Sequence, residues 1–376
     1  MADWSKLPYD IIHKVATYLI SIEDFLAFSA VCSSWRSVYL TKQWHQHPQV
    51  PLLMLCDNEN SSARSFISLY RNKVYKTELP EACGRRCWGS SSGWLVTLGN
   101  DLKIHLLNPF TRVSENLPPK SSLHIHFGEI LDWYEIIEKA FVFKKPCSTS
   151  HANEDEDLLV MIIYGPLKQL AFCRPGYSSW KSIKDSSHAG FIDVTYVKDQ
   201  IIALCDMGSL VVIDIDGLGV IDINGPHPPA VAEPLISLGW DWDQLFLVES
   251  SGDLWMVYQN RTSNHRRSSI DQSIEFIAYS FDFNKKRWIR MSNLGNHAIF
   301  VSDNFSMSIH APDRFNCKSN CIYFVGKEME RRWPYREVNV DVGVYTVTDG
   351  NSEPLCRGPQ FPLYYSFPLW VMPTLR

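Results

Sequence analysis

Residues 94–119 read WLVTLGNDLKIHLLNPFTRVSENLPP. Two apolar runs, 95–98 and 104–107, are separated by Gly99-Asn100 and closed by Asn108-Pro109. Short aliphatic runs bounded by turn formers read as strands joined by tight turns. Residues 158–183, LLVMIIYGPLKQLAFCRPGYSSWKSI, repeat the plan of strand, polar turn, strand, turn and Trp. IIALCDMGSLVVIDIDGLGVIDI (201–223) and LFLVESSGDLWMVYQN (245–260) follow it again, and IAYSFDFNKKRWIRM (277–291) repeats its second half. Further strands are expected at 321–325 and 342–347. About six such units fall after Pro51. Strand repeats of roughly 40 to 50 residues predict a β-propeller of about six or seven four-stranded blades, and a pair of β-sandwiches is the competing architecture. A closed ring covers the edges and faces that an open array would expose at its two ends. Residues 361–373, rich in Pro, Tyr, Phe and Trp, are the candidate closing strand or cover.

The chain before Pro51 has another texture. Residues 7–44 read LPYDIIHKVATYLISIEDFLAFSAVCSSWRSVYLTKQW. Pro8 suits the first turn of a helix, and Ile11, Ile12, Val15, Ala16 and Leu19 fall on one apolar stripe at helical spacing. Ser21 with Asp24 is a capping-box pattern with Asp in place of Glu or Gln, and marks a second helix start. Its expected apolar face is Phe25, Leu26, Phe28, Val31, Cys32 and Trp35. A short third helix is expected to carry Val38, Tyr39 and Trp44 before His47-Pro48 ends it. About 40 residues bury too little surface to be stable alone. The apolar positions also exceed what three short helices can hide among themselves. Some must face a partner or the rest of the chain.

The order Leu7-Pro8, Asp10-Ile11, Val15, Leu19, Asp24-Phe25-Leu26, then Val31-Cys32-Ser33-Ser34-Trp35-Arg36 closely resembles the F-box. The resemblance implies a helical unit that binds the Skp-type adaptor of a cullin–RING ubiquitin ligase. The contact residues would be Leu7, Pro8, Ile11, Ile12, Val15, Leu19, Leu26, Val31 and Cys32, with Trp35 packed inside the unit or against the β domain. The rest of the chain is similar to plant F-box proteins with a KIB-type (kelch-like) β-propeller. That likeness is carried by LLNPFTR (106–112), Leu117-Pro118-Pro119, Phe281-Asp282 with Trp288, and Phe367-Pro368-Leu369-Trp370. It implies a mainly β protein with an N-terminal all-α F-box over 1–47 and a target-binding propeller over 48–376.

Composition sets bounds. With 376 residues, 45% of them hydrophobic, a large core is possible, and a net charge of −5 gives no support to nucleic acid or an anionic membrane as partner. The start MADWSKLPYD has no apolar signal-peptide core, and the longest apolar run, 158–164, is far too short to span a bilayer. Cytosol or nucleus is therefore expected, and the sequons at Asn60, Asn260 and Asn304 carry little meaning. Ten cysteines are scattered; Cys32, Cys56, Cys173 and Cys205 lie in apolar runs and read as small buried hydrophobes, with disulfides not expected.

Catalytic patterns are sparse. Gly89-Ser90-Ser91-Ser92-Gly93 fits G-x-S-x-G, but a strand follows where the nucleophile elbow needs a helix, so a turn is the better reading. Cys83/Cys87 and Cys317/Cys321 have a spacing zinc can use, yet the pairs are far apart and strand alternation explains Cys321. His124 and His126 alternate on a strand or loop without a carboxylate partner nearby in sequence and read as ordinary residues. Residues 151–157 (acidic) and 261–273 (basic, Ser-rich, including Arg266-Arg267-Ser268-Ser269) read as solvated insertions. No cofactor or metal is expected. The expected function is target recognition for a Skp–cullin–F-box ligase without catalysis by this chain. Two alternatives are a propeller hydrolase using carboxylates such as Asp241, Asp243 or Asp253, and an F-box protein that sequesters its partner without ubiquitination.

Overall fold

A computed structural model describes residues 4–19, 22–39, 50–55, 61–125, 132–144, 158–183, 190–205, 209–222, 244–263, 272–303, 305–310, 316–329, 338–356 and 367–374. Three α-helices among these residues, α1 (Tyr9–Ala16), α2 (Ile22–Ser29) and α3 (Ser33–Tyr39), precede the strands. Pro8 stands at the N-cap of α1, one position earlier than its fixed φ alone suggests, and its carbonyl accepts from the Ile11 and Ile12 N–H groups at 3.0 and 3.2 Å. Helix α2 stops at Ser29, so Trp35 belongs to α3 and not to the face of α2.

The strands form six sheets among the described residues, which are the six blades of a β-propeller. Blade 1 holds β1 (Leu52–Met54), β2 (Ala63–Ser68) and β3 (Lys73–Glu78). Blade 2 holds β4 (Arg85–Trp88), β5 (Leu95–Gly99), β6 (Ile104–Leu107) and β7 (Ser114–Asn116). Blade 3 holds β8 (Ile137–Lys144), β9 (Leu158–Tyr164), β10 (Gln169–Cys173) and β11 (Lys181–Ser182). Blade 4 holds β12 (Phe191–Val197), β13 (Gln200–Cys205), β14 (Leu210–Asp214) and β15 (Gly219–Asp222). Blade 5 holds β16 (Gln244–Ser250), β17 (Asp253–Ser263), β18 (Gln272–Asp282) and β19 (Arg287–Met291). Blade 6 has five strands: β20 (His297–Ser302), β21 (Phe305–His310), β22 (Cys321–Met329), β23 (Val338–Thr346) and β24 (Asn351–Cys356), with β22 parallel to β20.

The ring closes as expected. The last strand, β25 (Leu369–Val371), leaves its sequence neighbours in blade 6 and pairs antiparallel with β1, completing blade 1. Trp370 on β25 is fully buried against blade 6; its ring meets Phe300 edge-on at 5.0 Å and its indole N–H donates to the Val301 carbonyl at 3.2 Å. A Cβ at Gly89, in blade 2, would collide with the Trp370 carbonyl oxygen, so glycine is required where blade 2 meets the closing strand.

Apolar packing follows the same circuit. Each of six buried clusters fills one seam between consecutive blades, because interior strands such as β9, apolar on both faces, serve two seams at once. Polar ties cross the seams between the innermost strands. Trp88 Nε1 donates to the Glu138 carbonyl at 3.1 Å, joining blades 2 and 3. Lys139 Nζ lies 3.3 Å from Asp193 Oδ1, joining blades 3 and 4. Asp193 Oδ2 accepts the Leu247 N–H at 2.7 Å, and Ser306 Oγ donates to the Leu247 carbonyl, joining blades 4, 5 and 6. Burial raises the Asp193 carboxyl above its ordinary range, against the pull of Lys139 and the Leu247 N–H.

Two outcomes test this account. Trp370→Ala removes a fully buried ring at the closing seam, and should lower stability by about 3–5 kcal/mol in denaturant melts. Asp193→Ala leaves Lys139 without its carboxylate and should cost about 3 kcal/mol or more. The Lys139→Met/Asp193→Leu pair should recover most of that loss, since a buried ion pair is replaceable by apolar groups.

Candidate partner-binding face of the helical unit

The stripe on α1 is divided lengthwise. At about 100° per residue, Ile12 and Ala16 lie roughly a quarter turn round the helix from Ile11 and Val15. Ile12 is 1% exposed and Ala16 7%, whereas Ile11 is 47% and Val15 38% exposed. Ile12 and Ala16, with Phe28 of α2 and Val38 of α3, join the cluster that fills the seam between blades 1 and 2, alongside Leu52, Phe66, Leu79, Leu107 and Val371. Leu7, Leu19 and Trp35 pack against it from the side. The other edge of the stripe is left at the surface.

Further contacts fix the unit in place. The Trp35 ring packs on Phe28 with centroids 4.5 Å apart, and its indole N–H donates to the Trp4 carbonyl at 3.1 Å. Asp24 of α2 forms an ion pair with Arg71 in the β2–β3 turn. The three helices therefore borrow blades 1 and 2 as the rest of their core, which answers how so small a unit is stabilised.

The expected contact residues separate accordingly. Pro8, Ile11, Val15 and Val31 are exposed, while Leu7, Leu19 and Cys32 are half-buried. Ile12, also expected at the partner face, is instead buried in the seam, because its position on the helix faces the β domain. The side chain of Leu26 lies outside the described residues. Sequence reasoning missed Trp4, Tyr9 and Tyr18, large exposed side chains on or beside the same unit. The signal for Tyr18 was available, since it follows Ile11 and Val15 at i+7 and i+3.

The propeller's candidate chemical groups are engaged locally. Asp193 is held by Lys139 and the Leu247 N–H. Asp253, in the β16–β17 hairpin, is solvent-exposed and lies 3.9 Å from Lys198. Asp241, Asp243, His126, Cys56, Asn60, Asn304, residues 151–157 and Arg266 to Ser269 fall outside the described residues. The Gly89-to-Gly93 stretch is a turn: the Gly93 N–H donates to the Ser90 carbonyl at 3.1 Å, and β5 follows. Burial pushes the Cys317 thiol up to about 12 and raises that of Cys321, so both are inert small hydrophobes of blade 6. Among the described residues no group of three or more His, Cys, Asp or Glu side chains is placed to hold a metal.

The structure thus seats a small helical unit with an open apolar edge on a six-bladed propeller. Sequence comparison identifies both parts: residues 4–47 match the F-box-like family and residues 66–346 match the KIB1-4 beta-propeller family. The chain belongs to the KIB1-4 beta-propeller family, as a plant F-box protein with a propeller domain. It is 26% identical to the F-box protein At2g26160 of Arabidopsis thaliana over 341 residues, covering 86% of this chain and 95% of the relative. It is 25% identical to the F-box protein SKIP23 of Arabidopsis thaliana over 419 residues, covering 100% and 97% of the two chains.

The two halves of the stripe make opposite predictions. Ile12→Asp buries a charge in the seam and should unfold the helical unit, visible as a loss of helical circular dichroism and a drop of several kcal/mol in stability. Ile11→Asp, one residue away, should change stability by no more than about 0.5 kcal/mol.

Proposed function

We propose that this chain is the target-recognition subunit of a Skp–cullin–F-box ubiquitin ligase, with no catalytic chemistry of its own. One observation carries the reading. The unit matched to the F-box keeps Ile11, Val15 and Val31 at its surface, although its neighbouring apolar residues are sealed against the propeller. Large apolar groups held open on a rigid support mark a protein-binding surface. The adaptor contacts are Leu7, Pro8, Ile11, Val15, Leu19, Val31 and Cys32, extended by Tyr9 and Tyr18, with Leu26 kept from the sequence reading. Ile12 serves as a support beneath them.

The propeller then holds a target near the ligase's charged ubiquitin carrier. Tethering raises the effective concentration of target lysines at the thioester, so rate comes from proximity and no residue here needs to be a nucleophile or base. An Asp253 in solvent and an Asp193 committed to Lys139 give the hydrolase reading no support.

Purified full-length chain should bind a Skp-type adaptor. Ile11→Asp with Val15→Asp should weaken that binding at least ~30-fold, with the thermal midpoint of the free chain unchanged. Full adaptor affinity in the double variant would overturn the assignment. Adaptor binding without ubiquitin transfer in a reconstituted ligase would favour sequestration.

A further inference from the structure

We infer that Arg86, toward the end of the propeller away from the helical unit, is an anion-binding point that takes a carboxylate or phosphate group of the target through the Nε–Nη2 edge of its guanidinium. This rests on the reading of the chain as a target receptor and adds the chemistry of one target contact.

Strand pairing orders the two ends. Leu52 is in register with both Val371 and Ser68, and Ser68 leads into the β2–β3 turn, whose Arg71 pairs with Asp24 of α2. The end of β25 therefore lies at the end of the propeller that carries the helices. β4 runs toward that same end, because the turn that follows it packs Gly89 on Trp370 and Gly93 on Thr374. Arg86 is the second residue of β4 and so lies toward the opposite end.

Alternation turns Arg86 and Trp88 to one side of β4 and Cys87 to the other. The half-buried Arg86 side chain reaches the turn Trp133–Glu135 ahead of β8, where its Nη1 donates to the Tyr134 carbonyl. Its guanidinium carbon stands 4.7 Å from the centre of the Trp88 ring, which fixes the plane of the group. Nε is buried and has no hydrogen-bond partner, and Nη2 donates to none of the described residues. These two nitrogens share one edge of the fork, the edge that meets a carboxylate or phosphate with two parallel hydrogen bonds. Among the described residues no carboxylate lies within ion-pair reach of Arg86. Glu135 and Glu138 are near enough to act on its charge, but each is engaged elsewhere. Glu135 Oε2 accepts the Asp132 N–H at 3.2 Å, and Glu138 Oε1 lies 3.1 Å from Lys168 Nζ.

The neighbouring residue shows the usual arrangement. Arg85 uses all three nitrogens: Nε donates to Thr97 Oγ1 at 3.2 Å, Nη1 pairs with Asp101, and Nη2 donates to the Lys103 carbonyl. Arg86 has one protein acceptor and an idle edge. Burial lowers its pKa to about 10, so it still carries its charge at neutral pH. A dehydrated cation with an unmet donor destabilises a fold, and an apolar residue of the same volume would serve the seam better. An arriving anion supplies both missing bonds in surroundings where charge-assisted bonds are strong.

The test uses the intact chain, isotope-labelled at its arginine side-chain nitrogens and titrated with inorganic phosphate and with acetate at constant ionic strength. The Nε–H resonance that is missing from Arg86→Lys should shift saturably with one or both anions. Degenerate peptide pools of about ten residues, with Glu, phosphoserine or Gln fixed at the centre, are then passed over the immobilised chain. The Glu or phosphoserine pool should be retained at least roughly tenfold better than the Gln pool, and which of them is retained names the group as carboxylate or phosphate. Arg86→Lys keeps the charge but not the fork, and should abolish that preference with the thermal midpoint and adaptor binding held. Glu138→Gln removes a negative charge beside the site without touching the guanidinium, and should raise retention of the anionic pool about twofold or more. The inference is overturned if the Arg86 resonance does not respond, if the Gln pool is retained equally, or if Arg86→Lys keeps the preference. Should Arg86→Lys fail to fold, an unchanged retention in Glu138→Gln overturns it instead. Failure of the unaltered chain to bind adaptor would defeat the receptor reading, whereas the anion titration reports on Arg86 alone.

Discussion

The pairing of β25 with β1 is the constraint on which the remaining geometry depends. Three residues, Leu369–Val371, supply the innermost strand of a blade whose other strands, Leu52–Met54, Ala63–Ser68 and Lys73–Glu78, come at the start of the propeller. Without them, β1 would expose an inner edge and blade 6 would face solvent along a surface built for Trp370. So short a strand contributes few ladder bonds, and the indole carries much of the closure. It is fully buried, packs on Phe300 and satisfies its N–H on Val301 across the seam.

Closure also determines where the helices sit. Leu369 and Val371 flank Trp370 and point the other way, into the cluster that receives Ile12, Ala16, Phe28 and Val38. The strand that completes the ring is therefore part of the floor on which the helical unit rests. A receptor that acts by proximity gains from this arrangement, because an adaptor face rigidly joined to the propeller limits the orientations a bound target can take. The Asp24–Arg71 pair is half-exposed and adds little energy, but it fixes a direction of approach that an apolar contact leaves free.

Much of this was legible in the chain. The interior strands announce themselves through continuous apolar runs, and β9 was read to the residue as 158–164. The closing strand was expected from the aromatic ending at 361–373. Outer strands were not readable: β3 is polar and largely exposed, β7 is Ser-Glu-Asn and β11 is two residues long, so none carries a burial pattern. The hairpin β20–β21 was missed because Ser306 and Ser308 break the apolar pattern of β21; both reach across to β16 of blade 5. Helix spacing located the stripe on α1, and the F-box resemblance counted Ile12 among the partner contacts. Periodicity reports that residues share a face, and burial then depends on what lies against each part of that face, which is a tertiary fact.

That division of one stripe explains why the N-terminal unit needs so many apolar residues. A helix that only packed on the propeller would be satisfied with Ile12, Ala16 and Leu19, and one that only met a partner would leave no anchor. Carrying both sets on one short helix and the turn that follows it widens the apolar arc beyond what a surface helix normally shows. The cost is an exposed Ile11 and Val15 whenever the partner is absent, with Val31 also exposed on the α2–α3 connection. Such a surface is tolerable on a large, well-closed body because it cannot be relieved by refolding the small unit: its buried edge is already committed to blades 1 and 2. The propeller's closure thus holds open the face that the helices present.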